Sequence, residues 1–150
     1  MGSTSYINDI PKEIWQLHNL EQLTLSRNNI KEVDPNIGQL TGLISLNLSQ
    51  NHIHKLPSSI GQLINLSSLN LSYNNLNSLP EEFKNLTKLK GLDLTKNLFV
   101  EAPLILKKLI RLKQWHVNVE GHEVIEKKEL DVNELHFSIL PPHVHFLRWK

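Results

Sequence analysis

The amino-acid sequence predicts an α/β solenoid, in which one small unit of chain is stacked several times. The first observation is a pattern that returns every 23 residues, Leu-x-Leu-x-x-Asn followed two positions later by Ile, Leu or Phe. It begins at Leu23, Leu46, Leu69 and Leu92. The second observation is Leu-Pro-x-x-Ile-Gly-x-Leu from Leu56, with a variant of it from Leu79. A fixed period of this length is typical of stacked repeats.

Each unit begins with a short strand, because leucines two positions apart place their side chains on one face of an extended chain. A further leucine, three positions before the first leucine of each strand, is predicted to close the core. These residues are Leu20, Leu43, Leu66, Leu89 and Leu112. The residues between the strand leucines should point out of the opposite face and form columns that run across the repeats.

An asparagine follows each strand, where the chain must turn. The four are Asn28, Asn51, Asn74 and Asn97. A buried amide at this point can bond backbone groups of its own turn and of the neighbouring turn. Left unpaired, such groups would cost roughly 1–3 kcal/mol each. We therefore expect the asparagine column to be structural.

The second half of each unit predicts a turn and then a short helical or 3₁₀ segment. Pro57 and Pro80 cannot continue a strand, and Ile60 and Leu63 lie on one helical face. Because helical backs are wider than strand fronts, the stack should curve. The parallel sheet then lies on the concave face, with turns and short helices on the convex side.

These motifs resemble those of the leucine-rich repeat family, over about residues 7–117. The Leu-Pro-x-x-Ile-Gly-x-Leu form is similar to the 23-residue intracellular class of that family. The resemblance implies a curved solenoid that binds another molecule. It is specific for fold and weak for function, because the family carries many functions on one scaffold.

We predict a single domain over residues 1–150, with irregular ends. Residues 7–17 match only the second half of a repeat, 18–117 form the repeats, and 118–150 form an irregular C-terminal cap or an insertion plus a half-repeat. The N-terminal half-repeat is either a cap or the remnant of a longer solenoid. Trp15 falls at the position of Gly38 and Gly61 and is expected to be exposed.

The C-terminal part departs from the repeat after a fifth strand at Trp115 and Val117. Glu120 replaces the asparagine, and residues 121–134 are highly charged and look like an insertion. A half-repeat is then predicted at Phe137, Leu140, Pro141, Val144 and Leu147. Phe146 and Trp149 would pack on the fifth coil.

Composition argues against several classes of partner. The formal net charge is +1, from 16 basic and 15 acidic residues, so nothing favours nucleic acid or an acidic membrane. The chain has no Cys, and its N-terminus lacks an apolar signal-peptide core. We therefore expect a cytoplasmic protein.

The predicted binding surface is the concave face. Its candidate partner-binding residues are Arg27, Gln50, Tyr73, Asp93, Lys96 and His116. Arg27, Tyr73 and Lys96 are the best anchors, since Tyr and Arg are over-represented among interface hot spots. The column Ser26, Ser49, Ser72, Thr95 and Asn118 is expected on the same face. The alternative is that all these side chains are ordinary solvated residues.

The fourth repeat has apolar residues where its siblings are polar. Leu98, Val100, Leu104 and Ile105 stand at such positions, and Ala102 stands where a leucine is usual. One interpretation is an exposed apolar contact site on the flank. The preferred interpretation is that the C-terminal insertion covers these residues, or that Leu98 turns inward to fill the space beside Ala102.

We predict no catalytic residues, no metal site, no cofactor and no small-molecule substrate. The sequence has no Cys nucleophile, no Gly-x-Ser-x-Gly and no phosphate-binding glycine loop. The pairs His52 with His54 and His143 with His145 lack a well-spaced third ligand. Asp93 and His116 are column neighbours, and a cross-strand pair is favoured over a catalytic dyad.

The sequence therefore predicts a protein-protein interaction module that binds a protein partner on its concave face or flank. Two alternatives stay open. The chain could be a regulatory or substrate-targeting arm of a larger enzyme, or a structural subunit of a large assembly.

Overall fold

The computed structural model describes residues 5–109, 111–112, 114–119, 122–128, 135–136 and 144–145. Five strands form one parallel sheet: β1 Gln22–Thr24, β2 Ser45–Asn47, β3 Ser68–Asn70, β4 Gly91–Leu94 and β5 Gln114–Val119. Five 3₁₀ helices alternate with them: η1 Lys12–Gln16, η2 Pro35–Gln39, η3 Ser58–Gln62, η4 Glu81–Asn85 and η5 Leu104–Lys108. The fold is the predicted curved solenoid, with the strands on its concave face.

The register of the sheet follows the sequence period. Leu23 pairs with Leu46, Leu46 with Leu69 and Leu69 with Leu92, so equivalent residues of successive repeats lie side by side. Trp115 continues this row on β5. Because adjacent strands are about 4.8 Å apart, each column of the sequence pattern becomes a row of neighbouring side chains across the sheet.

One continuous core fills the space between the strands and the 3₁₀ helices. It extends from Ile10 to Val117. The leucines that were predicted to close it are buried at Leu43, Leu66, Leu89 and Leu112, and Leu20 packs against the core while half-buried. These positions are confirmed.

The asparagine column forms the predicted ladder of backbone contacts. Asn74 donates from Nδ2 to the carbonyl oxygens of Leu48 at 2.9 Å and Leu71 at 3.0 Å, and its Oδ1 accepts from the Ile53 amide at 2.9 Å. Asn51 makes the same set of bonds one coil earlier. Each amide therefore ties the turn of its own coil to the turn of the preceding coil.

Trp15 is buried, with 3% of its surface exposed, and the expectation that it would be exposed is wrong. Gly38 and Gly61, at the equivalent position, are also buried. A Cβ at Gly38 would lie 2.9 Å from the carbonyl oxygen of Ser59 in the next coil, and one at Gly61 would collide with the backbone of Glu82. A side chain at this position thus points toward the neighbouring coil, and Trp15 joins the core there.

The C-terminal part adds strands to the sheet. β6 His122–Lys128 pairs antiparallel with β5, and the short strands β7 Leu135–His136 and β8 Val144–His145 pair with β6. The charged insertion thus contributes a strand. Val144, which was assigned to the helical part of a half-repeat, lies in a strand instead. Phe137, Leu140, Pro141, Phe146, Leu147 and Trp149 lie outside the described residues, and the domain boundaries stay predictions.

Candidate functional site

Four of the predicted binding residues share an unusual backbone conformation. Arg27, Gln50, Tyr73 and Lys96 have φ angles of 59°, 55°, 55° and 55°. This is the left-handed region, which costs a residue with a side chain roughly 1–2 kcal/mol. Each one directly precedes an asparagine of the ladder, so the turn geometry that the ladder imposes is the same in all four coils.

The backbone amides of Arg27, Gln50 and Tyr73 are bonded to the next coil, and the side chains of all four residues reach the surface. The amide of Arg27 donates to the Ser49 carbonyl at 3.0 Å, and that of Tyr73 donates to the Thr95 carbonyl at 2.8 Å. All four residues are exposed, and Tyr73 has 53% of its surface accessible. We call Arg27, Gln50, Tyr73 and Lys96 the turn row. It spans three inter-coil steps, or about 14 Å.

Asp93 caps the turn after β4. Its Oδ1 accepts from the Thr95 amide at 2.9 Å and from the Thr95 hydroxyl at 2.7 Å. Asn70 makes the same two bonds to Ser72, at 3.0 and 2.7 Å, and Asn47 accepts from the Ser49 amide at 3.0 Å. The position therefore caps the turn in these three successive coils, and of the three residues only Asp93 carries a charge.

Asp93 and His116 lie on adjacent strands as register partners, as the columns predict. Both line an open depression in the concave face with a volume of about 280 Å³. Its other lining residues are Ser68, Leu69, Asn70, Gly91 and Leu92. We call this space the Gly91 depression. The structure thus divides the six candidates between the turn row and the Gly91 depression.

Sequence reasoning missed the Gly91 depression, although a signal for it was present. In the column that contains Gly91, the two preceding coils have Ser45 and Ser68, so the side chains on that side are small. A Cβ at Gly91 would have no atom within 4 Å. The depression therefore exists because this strand position lacks a side chain.

The serine column does not point out of the concave face as expected. Ser49 and Ser72 are buried, with 7% and 5% of their surface exposed. Their amides bond the Asx side chains two residues earlier, and the Ser72 hydroxyl donates to Asn70. They belong to the turn and are removed from the binding surface.

The apolar flank of the fourth repeat is exposed, and the expectation that it would be covered is wrong for three residues. Leu98, Val100 and Leu104 have 60%, 70% and 66% of their surface exposed. The exposure of Leu98 shows that its side chain does not turn inward. Its amide bonds the Leu76 carbonyl at 2.7 Å, so its backbone follows the same course as that of its polar siblings. Ile105 is buried, as is Ala102. We call Leu98, Val100 and Leu104 the apolar flank.

An ion pair connects the two 3₁₀ helices nearest this flank. Glu81 on η4 accepts from Lys108 on η5 at 2.9 Å and from Lys84 at 3.3 Å. The hydrogen bond from Lys108, followed by that from Lys84, holds the pKa of the Glu81 carboxyl below its ordinary value. Because all three side chains are exposed, the contribution to stability is small.

A model of the family described as leucine rich repeat matches the chain twice, at residues 18–76 and 41–99, which together exceed half of its length. The chain belongs to the leucine-rich repeat family. It is also similar to the solved structure of a leucine-rich repeat protein of Leptospira interrogans, with 38% sequence identity and a TM-score of 0.70. That match covers 75% of this chain and 30% of the other, so this chain spans less than a third of that relative. A search of curated proteins gave no match.

Leucine-rich repeat domains generally mediate protein-protein interactions, and their fold is typically non-enzymatic. The intracellular class of repeat stays a prediction. Among the described residues of this leucine-rich repeat chain, no three His, Cys, Asp or Glu residues are grouped to hold a metal ion. His54 lies 3.5 Å from Glu32, and His143 lies outside the described part. No helix in that part is long and apolar enough to cross a membrane.

Proposed function

We propose that this domain binds a protein partner on its concave face, through the turn row and the Gly91 depression. The observation that carries the proposal is the turn row itself. Four exposed side chains stand on left-handed turns, and the backbone amides of three of them, Arg27, Gln50 and Tyr73, are bonded to the next coil. Residues held in costly conformations are often found at binding sites, although here the asparagine ladder also requires this turn.

A preorganised surface of this kind suits protein recognition. Binding loses little ordering entropy when the interface backbone is already fixed. Tyr73 and Arg27 are of the residue types that most often dominate interface energetics. Support from Asp93 and His116 would come through the Gly91 depression, where both side chains are accessible from the concave face.

The proposal includes what the domain does not do. We place no catalytic step, cofactor, metal, nucleic acid, membrane or small-molecule substrate on this chain, and we place it in the cytoplasm. The near-balanced charge supports the statements on nucleic acid and membrane, and the lack of Cys supports the cytoplasm. The statements on catalysis and phosphate-bearing cofactors rest on the missing catalytic and phosphate-binding motifs.

Affinity capture from the lysate of the source cell tests the concave face. The variant bait carries Arg27→Gly, Tyr73→Gly and Lys96→Gly. Because glycine adopts a positive φ without steric cost, this bait keeps its fold while losing three side chains. The control is Ile64→Thr, which changes an exposed residue outside the turn row to the residue found at the equivalent positions Thr41 and Thr87.

We expect a protein that is held by the wild type and by the control bait and is lost from the glycine bait. Equal retention by all three baits would contradict concave-face recognition. Thermal melts of each bait, run beside the capture, confirm that all of them are folded.

The apolar flank is a second candidate surface, favoured by the exposure of its three side chains. The test bait carries Leu98→Asn, Val100→Asn and Leu104→Glu. These are the residues that the third repeat has at the same positions, so the fold is retained. A partner that is kept by the glycine bait but lost from this bait would assign recognition to the flank. A partner lost only from the glycine bait would exclude the flank.

A further inference from the structure

We propose that the Gly91 depression is a socket for one basic side chain, arginine or lysine, of the protein partner. The inference rests on the proposed concave-face function and specifies its chemistry. It follows from two residues of β4: Gly91, which leaves space on the concave face, and Asp93, which carries a negative charge beside that space.

The space at Gly91 is not required by the fold. Its backbone is extended, without the positive φ that favours glycine, and an added Cβ would meet nothing within 4 Å. Glycine in a strand is a disadvantage of about 0.5–1 kcal/mol compared with alanine. The contrast is with Gly61, where a Cβ would collide with the backbone of Glu82. What Gly91 provides is therefore room on the concave face.

The charge at Asp93 is not required by the fold either. Asn70 caps the equivalent turn with bonds of 3.0 and 2.7 Å, against 2.9 and 2.7 Å for Asp93. An asparagine would therefore serve this turn equally well. The carboxylate adds a unit negative charge to a half-buried position that lines the depression.

The occupant follows from this combination of space and charge. Oδ1 of Asp93 is engaged by Thr95, and a carboxylate has further lone pairs on its second oxygen. A guanidinium or ammonium group is the natural donor, because charge-assisted bonds are roughly twice as strong as neutral ones. Ser68 and Asn70 also line the depression and offer additional polar atoms.

The size of the depression favours one side chain over a free small molecule. Its volume is about 280 Å³ and it opens widely onto the sheet, whereas small-molecule sites usually enclose about 70–90% or more of the surface of their ligand. A partner segment that crosses the concave face could insert a single side chain there while its remaining contacts fall on the turn row.

The experiment uses random-sequence peptides displayed on phage and selected on the full wild-type chain. Selected peptides are synthesised, and their dissociation constants are measured against Asp93→Asn and Gly91→Gln. Asp93→Asn removes only the charge, because Asn70 shows that the amide retains the turn. Gly91→Gln fills the depression with the side chain that Gln22 has in the same column. Thermal melts establish that both variants are folded.

We expect the selected peptides to share an arginine or lysine and to lose about tenfold or more in affinity for each variant. Replacing that basic residue by citrulline or norleucine should cause a similar loss for wild type. The altered peptide should then bind Asp93→Asn as well as it binds wild type, because the interacting pair is already broken.

The outcomes separate the two proposals. Peptides that lose affinity for the Arg27→Gly, Tyr73→Gly, Lys96→Gly variant depend on the turn row. If such peptides bind Asp93→Asn and Gly91→Gln as tightly as they bind wild type, the socket alone is overturned. Peptides indifferent to the turn-row variant and to both socket variants would overturn concave-face recognition together with the socket. Selection of peptides without a basic residue would also overturn the socket.

Discussion

At the scale of single residues, the asparagine ladder is the part of the fold where we expect a substitution to destabilise the domain strongly. Replacing Asn74 by Leu keeps the site filled but leaves the amide of Ile53 without its side-chain acceptor. The carbonyls of Leu48 and Leu71 each lose one of their two ladder donors and keep only Asn51 and Asn97, respectively. With roughly 1–3 kcal/mol for the unpaired amide and about 0.5–1.5 kcal/mol for each of the two other lost bonds, we expect a loss of several kcal/mol in the free energy of unfolding. Urea denaturation followed by circular dichroism measures it.

The matched control for Asn74 is the next residue along the chain. Asn75 is exposed, and Leu98 shows that a leucine is accepted at the equivalent position one coil later. Asn75→Leu should therefore leave the urea midpoint nearly unchanged. A wild-type midpoint for Asn74→Leu would refute the structural role of the ladder.

The asparagine ladder could be predicted from sequence because an asparagine recurs at the same position after each strand, where the turn leaves backbone groups for it to bond. The burial of Ser49 and Ser72 could not, because alternation alone continues the strand past its last leucine, while the chain has already turned. Trp15 was misjudged for a related reason. Glycine at Gly38 and Gly61 was taken as a mark of exposure, whereas the structure shows a close approach between coils.

At the scale of secondary-structure elements, the 3₁₀ helices stack closely enough to require glycine. Gly61→Ala would place a Cβ against the backbone of Glu82 in the next coil. Because backbone cannot move aside as a flexible side chain can, we expect a loss of about 1–3 kcal/mol. Urea denaturation of Gly61→Ala and Gly91→Ala makes the comparison.

Gly91→Ala is the control because its Cβ would enter open space. Its free energy of unfolding should stay at the wild-type level or rise by up to about 1 kcal/mol, because alanine is favoured over glycine in a strand. If Gly61→Ala lost no more stability than Gly91→Ala, the helices would be able to move apart, and tight stacking would not be what selects glycine at Gly61.

The strands and 3₁₀ helices of the repeats were predictable because each carries its own hydrophobic spacing. The addition of β6 was not, because the residues after Val119 have no repeat phase and their pairing with β5 depends on the open edge that the fifth coil presents. Val144 shows that the repeat spacing is a poor guide to structure beyond the fifth coil. Its spacing matches Leu-Pro-x-x-Val, yet it pairs as a strand with β6.

At the scale of the whole molecule, the candidate site depends on comparison between coils. The turn row could be chosen from sequence because its four members share one repeat position. The Gly91 depression forms where one strand lacks a side chain, and it is lined by residues of that strand and of the strands on either side. It could therefore be recognised only once the strands were placed side by side in the sheet. The exposed apolar flank likewise depends on whether another segment covers it, which the repeat pattern does not encode.

Stability should be graded along the solenoid, because each coil packs mainly on its neighbours. Leu25 and Leu71 have the same repeat position, but Leu25, which follows edge strand β1, is half-buried, whereas Leu71 has 0% of its surface exposed. Leu71→Ala should cost about 2–5 kcal/mol, the usual range for a fully buried leucine. Leu25→Ala should cost less than half as much, since less of its surface is removed from water. Urea denaturation gives both values. Equal losses would show that the first coil is as tightly packed as the third, and that the solenoid lacks the graded packing inferred from the burial of its leucines.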